Sequence, residues 1–340
     1  MSRRVKIIFV IFITVWSVGL LASCDNPPAL GISDGSPNAV QSTPETGVVN
    51  IDDTPTPGIP ISPAPAIPIV LTPVASGILS TSNDFALIDY SNKEDGYIMV
   101  KWLTDTDMQL RVQVAGPTGV VYNYRLRADG EFEVFPLSDG NGEYTIMVLE
   151  QVVGAEFAIA LTLSFDVSLV DEFAPFLRPN QYVNFTEDCN VVALAAQLVA
   201  GQPTFLDKIT EIYNFVVTHI TYDRDFAQGV ADGYIVGYIP VLDDVLERGY
   251  GICFDYAAVM TAMLRSQGIP TKLIFGFVGE VYHAWINVFS EETGWINGVI
   301  LFDGEEWTLM DPTFEATAGN SDALQEFIGD GSSYIVKHLF

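Results

Sequence analysis

The sequence contains few of the residues that build metal sites and nucleic-acid surfaces. Its 340 residues include three cysteines and three histidines. Two of the histidines, His219 and His338, have no Cys, Asp or His at metal-ligand spacing, so we expect neither a metal site nor another cofactor. Only 15 basic residues accompany 43 acidic ones, which gives a formal net charge of −28. A nucleic-acid-binding protein needs a basic footprint, and this chain lacks one.

The chain opens with positive charges followed by an apolar run. Two arginines and a lysine precede IIFVIFITVWSVGLLA, which is short for a membrane span of about 20 residues. The run ends at Leu21–Cys24, a tetrapeptide that resembles the lipobox of bacterial lipoproteins. This resemblance implies a signal peptide over residues 1–23, a lipid on Cys24 and a location on the outer face of a bacterial membrane. An uncleaved anchor helix is the alternative.

Residues 24–83 have the composition of a tether. The stretch from 25 to 80 holds 11 of the chain's 19 prolines and no basic residue. Such a sequence buries too little apolar surface to offset its ordering entropy, and proline favours extended backbone. We therefore predict a disordered, semi-rigid spacer.

An alternating pattern predicts an antiparallel β-sandwich over residues 84–178. Leu110, Val112 and Val114 recur with period two, and YNYRLR alternates in the same way. Turn signals such as ADG and SDGNG separate these runs at hairpin spacing. About six or seven strands are expected. The region contains no cysteine or histidine, so we interpret it as an accessory domain.

Helical periodicity replaces this alternation after residue 180. Thr186 is expected to cap a helix with Cys189 in its first turn, where the cysteine reads as a structural thiol. Thr204 and Asp207 have capping-box spacing ahead of a second helix.

The segment GYGICFDYA contains the cysteine of greatest interest. The apolar spacing after Cys253 predicts a helix that begins at this residue. A thiol at a helix N-terminus faces unpaired N–H groups and the positive end of the dipole, and both favour the thiolate. The glycines at 249 and 251 permit a tight turn that leaves the sulfur accessible. Taken alone, this is weak evidence for catalysis, because cysteine is often merely buried.

Two later segments supply the partners that a cysteine nucleophile needs. YHAWINVF reads as a strand carrying His283, and EEWTLMDPTF places Asp311 at the end of another strand. An imidazole can accept the thiol proton, and a carboxylate can fix the imidazole tautomer.

Three ordered blocks resemble the transglutaminase-like superfamily: GYGICFDYAAVMTAMLRSQGIPTKLIFGF, HAWINV and WTLMDPTF. The resemblance covers about residues 186–315. It implies an α+β fold with a papain-like transglutaminase core at 179–340. It also implies a triad of Cys253 as nucleophile, His283 as base and then acid, and Asp311 as orienting carboxylate. The segment between His283 and Asp311 is longer than the family pattern, as though a hairpin were inserted.

Tyr222, upstream in ITYD, is a candidate second oxyanion donor beside the N–H of Cys253. A strand residue that packs the core is the competing interpretation. A disulfide between Cys189 and Cys253, which would inactivate the nucleophile, is a minor hypothesis.

The function that follows is a cell-surface thiol enzyme. It would act on peptide or glutamine-type amides of a protein or peptide substrate through a thioester, as a protease or amidase or as a transamidase. The alternative is a binding or scaffold lipoprotein in which the same fold is catalytically silent. The sequence predicts membrane attachment through Cys24 and no nucleic-acid partner, and it leaves the oligomeric state open.

Overall fold

The computed structural model describes residues 64–278, 281–290, 294–297, 300–302, 307–309 and 334–340. The predicted signal peptide, Cys24 and most of the predicted tether lie outside these ranges. The fold is mixed α+β, as predicted: antiparallel sheets come first, and five helices with further sheets follow within the described residues.

Eight antiparallel strands build the first part of the structure. They are β1 Ser80–Ser82, β2 Ala86–Asp89, β3 Tyr97–Trp102, β4 Leu110–Ala115, β5 Val121–Leu126, β6 Glu133–Pro136, β7 Gly142–Val153 and β8 Glu156–Val167. One sheet has the order β1-β2-β3-β6, and the other has the order β5-β4-β7-β8. The structure has more than the six or seven strands expected, because β1 lies before residue 84, in the predicted tether.

The side chains that the alternating pattern places on one face are the ones that the sheets bury. Leu110, Val112 and Val114 of β4 are at most 3% exposed, whereas Arg111 and Gln113 between them are only partly buried. Buried side chains from both sheets join one hydrophobic core. The period-two pattern therefore identified the inward face correctly.

The second part combines helices with four-stranded and two-stranded sheets. Its helices are α1 Asn190–Leu198, α2 Phe205–His219, α3 Arg224–Ala231, α4 Leu242–Arg248 and α5 Cys253–Arg265. Its strands are β9 Thr221–Tyr222, β10 Tyr250–Gly251, β11 Thr271–Val278, β12 Val281–Ser290, β13 Gly294–Asn297, β14 Ile300–Phe302, β15 Trp307–Leu309 and β16 Tyr334–Leu339. The main sheet is antiparallel with the order β13-β12-β11-β16, while β14 pairs with β15 and β9 pairs in parallel with β10.

Helix α5 lies at the centre of this second part. Every residue from Phe254 to Arg265 is buried, and α1, α2, α4, β11 and β12 all pack against the helix. A helix buried on all sides is apolar around most of its circumference, and the sequence AAVMTAML is apolar at every position but Thr261.

The helix caps are partly as predicted. Thr204 and Asp207 form the predicted capping box of α2, with Asp207 N–H donating to Thr204 Oγ1 at 3.1 Å. The predicted Thr186 cap of α1 is wrong, because the cap position is Cys189. The first N–H groups of α1 instead donate to the carboxylate of Asp243 in α4, at 2.9 and 3.0 Å.

A buried arginine closes the other end of α5. Arg265 is 0% exposed, and its guanidinium donates to the backbone oxygens of Arg178, Thr271 and Phe340 at 2.6–2.9 Å. Burial lowers its pKa to about 9, which still leaves the group charged at neutral pH. The side chain thus joins α5, the main sheet and the segment that follows the first part.

The C-terminal strand links the two parts. Phe340 exchanges backbone hydrogen bonds with Leu273 at 2.8 and 2.9 Å. Its ring lies 5.6 and 5.7 Å from those of Tyr122 and Tyr124 in β5, and 4.6 Å from that of Tyr182. Because these rings are shared, the hydrophobic core continues from one part into the other.

Residues 66–79 of the predicted tether are bound to the folded protein; we call them the strap. Ala66 N–H donates to Ala196 of α1, and Ile69 N–H donates to Ser266 just after α5. Further on, Val74 N–H donates to the Tyr97 hydroxyl at 3.0 Å, and Gly77 N–H donates to Asp89 at 2.6 Å. The strap therefore crosses from the second part to the first.

The hydrogen bonds of the strap predict that removing residues from the N-terminal side lowers the free energy of unfolding only once the strap itself is removed. A chain that begins at residue 64 should unfold in urea at the same concentration as the full chain. A chain that begins at residue 80 loses these hydrogen bonds, and we expect its free energy of unfolding to fall by about 2–4 kcal/mol. Equal stability of the two shortened chains would show that the strap is only a tether.

Candidate active site

Cys253 occupies the first position of α5, as predicted, and is a half-buried free thiol. The rest of the helix is buried, so only this end of α5 approaches the surface. Cys189, at the start of α1, is also a free thiol, and its sulfur accepts from Thr186 N–H at 3.3 Å. The hypothesis of a Cys189–Cys253 disulfide is therefore wrong for this structure.

The turn before Cys253 has its backbone groups paired one after another. Gly249 O accepts from Thr221 N–H at 2.9 Å, and Gly251 O accepts from Asp223 N–H at 2.8 Å. Between them, Tyr250 O accepts from the side chain of Arg248 at 2.7 Å. We call residues 249–252 the nucleophile turn.

A carboxylate in the first turn of α5 completes this pairing. Asp255 is 0% exposed, and its Oδ2 accepts from Ile252 N–H at 2.7 Å. Its Oδ1 accepts from Arg248 Nη2 at 2.7 Å and from the Tyr238 hydroxyl. Gly251 is required here, because a Cβ at that position would lie 2.6 Å from the Asp255 side chain.

Asp255, Arg248 and Tyr238 also shift one another's pKa values. Burial raises the pKa of the Asp255 carboxyl, and the donors from Tyr238, Ile252 and Arg248 oppose that rise. Burial disfavours the charge on Arg248, but its contacts with Tyr238 and Asp255 outweigh this effect and raise its pKa. Asp255 and Arg248 are held together by a direct hydrogen bond of 2.7 Å.

His283 is the third residue of β12 and is 5% exposed. It lies opposite Gly276 of β11, and its ring stacks at 6.4 Å on that of Trp285. Alternation along the strand places His283, Trp285 and Asn287 on one face. Ala284 and Ile286 on the other face join the core that surrounds α5.

The beginning of β12 lies close to the beginning of α5. Desolvation raises the pKa of the Tyr282 phenol, and the electrostatic interaction with Cys253 adds to that rise. The rings of Phe254, Phe275 and Tyr282 form a continuous path, with centroid separations of 4.9 and 6.2 Å. The structure therefore brings the strand end that carries His283 to the helix end that carries Cys253.

The other predicted site residues have different outcomes. Tyr222 is half-buried on β9, directly opposite Gly251, and so lies beside the nucleophile turn. Asp311 lies outside the described residues, beyond β15, so its place in the triad stays a prediction. Cys24 also lies outside them. No group of three His, Cys, Asp or Glu side chains in the described ranges could hold a metal ion.

Two residues of this site, Arg248 and Tyr238, could not be identified from the sequence pattern. Arg248 stands in the last turn of α4, where a cation is usual and suggests only a dipole partner. Tyr238 lies in the connection between α3 and α4, where no pattern marks it. Asp255, in the first turn of α5, is placed favourably for the helix dipole and also binds the nucleophile turn at Ile252 N–H.

A family model confirms the predicted resemblance. Residues 192–298 match the Transglutaminase-like superfamily. This segment runs from α1 to the end of β13 and includes both Cys253 and His283. The chain therefore contains a transglutaminase-like core, preceded by antiparallel sheets. No curated protein is significantly similar to the chain.

Solved structures with distant similarity include enzymes of two kinds. A putative cysteine protease from Cytophaga hutchinsonii is 15% identical, with 77% of this chain and 74% of that chain covered and a TM-score of 0.34. The red sea bream transglutaminase is 16% identical, with 68% of this chain and 53% of that chain covered and a TM-score of 0.27.

Gly276 should be the least replaceable glycine of the main sheet. A Cβ there would collide with the backbone oxygen of Ile335 in β16 and lie 2.6 Å from the Trp285 ring. We expect Gly276→Ala to lower the free energy of unfolding by about 3 kcal/mol, since neither neighbour can move freely.

Gly119→Ala is the control for this substitution. Gly119 has a φ of 80° and open space around its Cβ, so only backbone strain of about 1 kcal/mol opposes the methyl group. Urea unfolding measures both losses. If the Gly276 variant loses no more than the Gly119 variant, the packing of β16 and Trp285 on β11 is not as described.

Proposed function

We propose that the chain is a thiol enzyme that cleaves or transfers amides through a Cys253 thioester. The observation that carries the proposal is the position of Cys253 in the transglutaminase-like core: a half-buried thiol at the N-terminus of a buried helix, beside the strand that carries His283. Asp311 is the proposed third member of the triad.

The reaction has two steps. In the first step the Cys253 thiolate attacks the carbonyl carbon of an amide and forms a C–S bond. The C–N bond then breaks, and the His283 imidazolium gives its proton to the leaving amine. In the second step water or a second amine attacks the thioester carbonyl and loses its proton to the imidazole. The thiolate leaves, and the product is an acid or a new amide.

Backbone N–H groups at the start of α5 would stabilise the oxyanion. The first N–H groups of a helix have no acceptor within the helix, and such donors stabilise developing negative charge. The carboxylate of Asp255 binds the N–H of Ile252 and so does not compete for that of Cys253. Tyr222 remains the candidate second donor, because β9 holds it beside Gly251.

A catalytically silent binding or scaffold protein is the second candidate. The observation in its favour is the alternation along β12, which places His283 on the face of Trp285 rather than on the face that packs against α5. Whether the thiol and imidazole form a pair is therefore the property to measure.

The pH dependence of Cys253 alkylation tests the proposal. A free thiol with a pKa of about 8.5 is only about 1% thiolate at pH 6.5. We expect iodoacetamide to label Cys253 at pH 6.5 at least about tenfold faster than Cys189, because an imidazolium stabilises the thiolate. Peptide mass spectrometry measures both rates in one sample.

His283→Ala is the matched variant. It should slow the labelling of Cys253 at pH 6.5 to the rate of Cys189 and leave the labelling of Cys189 unchanged. If Cys253 labels no faster than Cys189 in the wild-type chain, the enzyme proposal fails and the silent scaffold is favoured.

We further propose that Cys24 carries a lipid that holds the protein on the outer face of a bacterial membrane. No helix within the described ranges is long and apolar enough to span a membrane. In bacterial cells grown with labelled palmitate, the wild-type chain should incorporate label and Cys24→Ser should not. Incorporation by the Cys24→Ser variant would contradict the lipobox interpretation.

A further inference from the structure

The nucleophile turn is held in place by side chains that do not belong to the proposed triad. Arg248 reaches it from α4 and Asp255 from the first turn of α5 itself. Tyr238, in the connection between α3 and α4, binds both of these side chains. We propose that these three side chains form a positioning cluster that fixes the turn and thereby aims the Cys253 sulfur. This inference rests on the proposed function, since it assigns a role toward the nucleophile of that reaction.

The hydrogen bonds of the cluster link both ends of the turn. Arg248 uses Nε for the carbonyl of Tyr250 and Nη2 for Asp255, at 2.7 Å each. Asp255 in turn holds the N–H of Ile252, the residue directly before Cys253. One guanidinium and one carboxylate therefore connect the entry to the turn with its exit.

Two further carbonyls of the turn are fixed by β9 and by the residue that follows it. Gly249 O and Gly251 O accept from the N–H groups of Thr221 and Asp223. With Tyr250 O bound by Arg248 and Ile252 O accepting from Asp255 N–H at 2.8 Å, the four successive carbonyls of the turn are all paired. No carbonyl in the backbone that leads into Cys253 can therefore move without losing a hydrogen bond.

The cluster is itself rigid. Tyr238 packs its ring edge-on against Phe226 of α3 at 4.8 Å and against Phe254 of α5 at 6.3 Å. Its hydroxyl donates to Asp255 and accepts from Arg248 Nη2 at 2.7 Å. Asp255 is fully buried, and the Arg248 side chain is 27% exposed. A buried carboxylate is costly unless its oxygens are satisfied, and here each oxygen has a donor.

Positioning matters because the proposed thiolate–imidazolium pair depends on close approach. A misplacement of about 1 Å can reduce a rate by about 10²-fold. Neither Arg248 nor Asp255 takes part in the proposed bond-making steps, so their effect on Cys253 would act through the backbone.

Two substitutions distinguish positioning from simple electrostatics. Arg248→Met removes a positive charge near Cys253, and Asp255→Ala removes a negative one. If the cluster acts only through charge, the first change disfavours the thiolate and the second favours it, so the labelling rates of Cys253 move in opposite directions. If the cluster positions the sulfur, both substitutions slow labelling.

The measurement is the rate of iodoacetamide labelling of Cys253 in the full chain at pH 6.5 and at pH 10. At pH 6.5 we expect both variants to lose about tenfold or more, because the sulfur no longer meets the imidazole. At pH 10, where any accessible thiol ionises, we expect all chains to label alike. Arg127→Met is the control, since Arg127 lies in the first part and its side chain is 63% exposed, and it should leave both rates unchanged.

Milder variants keep the test informative if the two main variants do not fold. Tyr238→Phe removes one donor to Asp255, and Asp255→Asn retains an acceptor for Ile252 N–H while it removes the charge. We expect Asp255→Asn to slow labelling at pH 6.5 by less than Asp255→Ala, and Tyr238→Phe to slow it by less than Arg248→Met. Urea unfolding shows whether each variant is folded.

The outcomes separate the two proposals. If wild-type Cys253 labels no faster than Cys189 at pH 6.5, the proposed function fails and the positioning cluster fails with it. If the wild-type chain labels fast and the folded variants label equally fast, or if the two charge variants shift in opposite directions, the enzyme proposal stands and the positioning role is overturned.

Discussion

The burial of α5 on every side is the constraint on which the rest of the structure depends. A helix surrounded by α1, α2, α4 and two strands cannot rotate or slide without opening cavities in a close-packed core. Buried polar side chains at its two ends bind the helix to neighbouring backbone. Arg265 ties the C-terminal end to three backbone segments, and Asp255 ties the N-terminal end to the nucleophile turn. Cys253 is therefore set by the packing of the whole helix.

Patterns that act within one element could be predicted from the sequence. The capping box of Thr204 and Asp207, the start of α5 at Cys253 and the inward face of β4 all depend on neighbours a few residues apart. Side-chain periodicity and capping express these local preferences directly. The strand that carries His283 could be predicted from the same local signals, together with the family resemblance.

Contacts between distant segments could not be predicted in this way. The cap of α1 comes from Asp243, more than 50 residues away, so the local candidate Thr186 was the wrong choice. Composition alone predicts a tether for the strap, because it supplies little apolar surface. Proline-rich backbone is already extended, however, which lowers the entropy lost when its intervening N–H groups dock. Tyr238 lacked any signal, since its role exists only once α3, α4 and α5 have packed together.

The central claim is that Cys253 and His283 form an ion pair in the resting protein. The most direct measurement is an NMR pH titration of histidine imidazoles in the wild-type chain and in Cys253→Ala, with His283→Gln to assign the signal among the three histidines. If the ion pair forms, His283 stays protonated above neutral pH in the wild-type chain and loses its proton at lower pH once the thiol is removed. A His283 titration that is the same in both chains would contradict it.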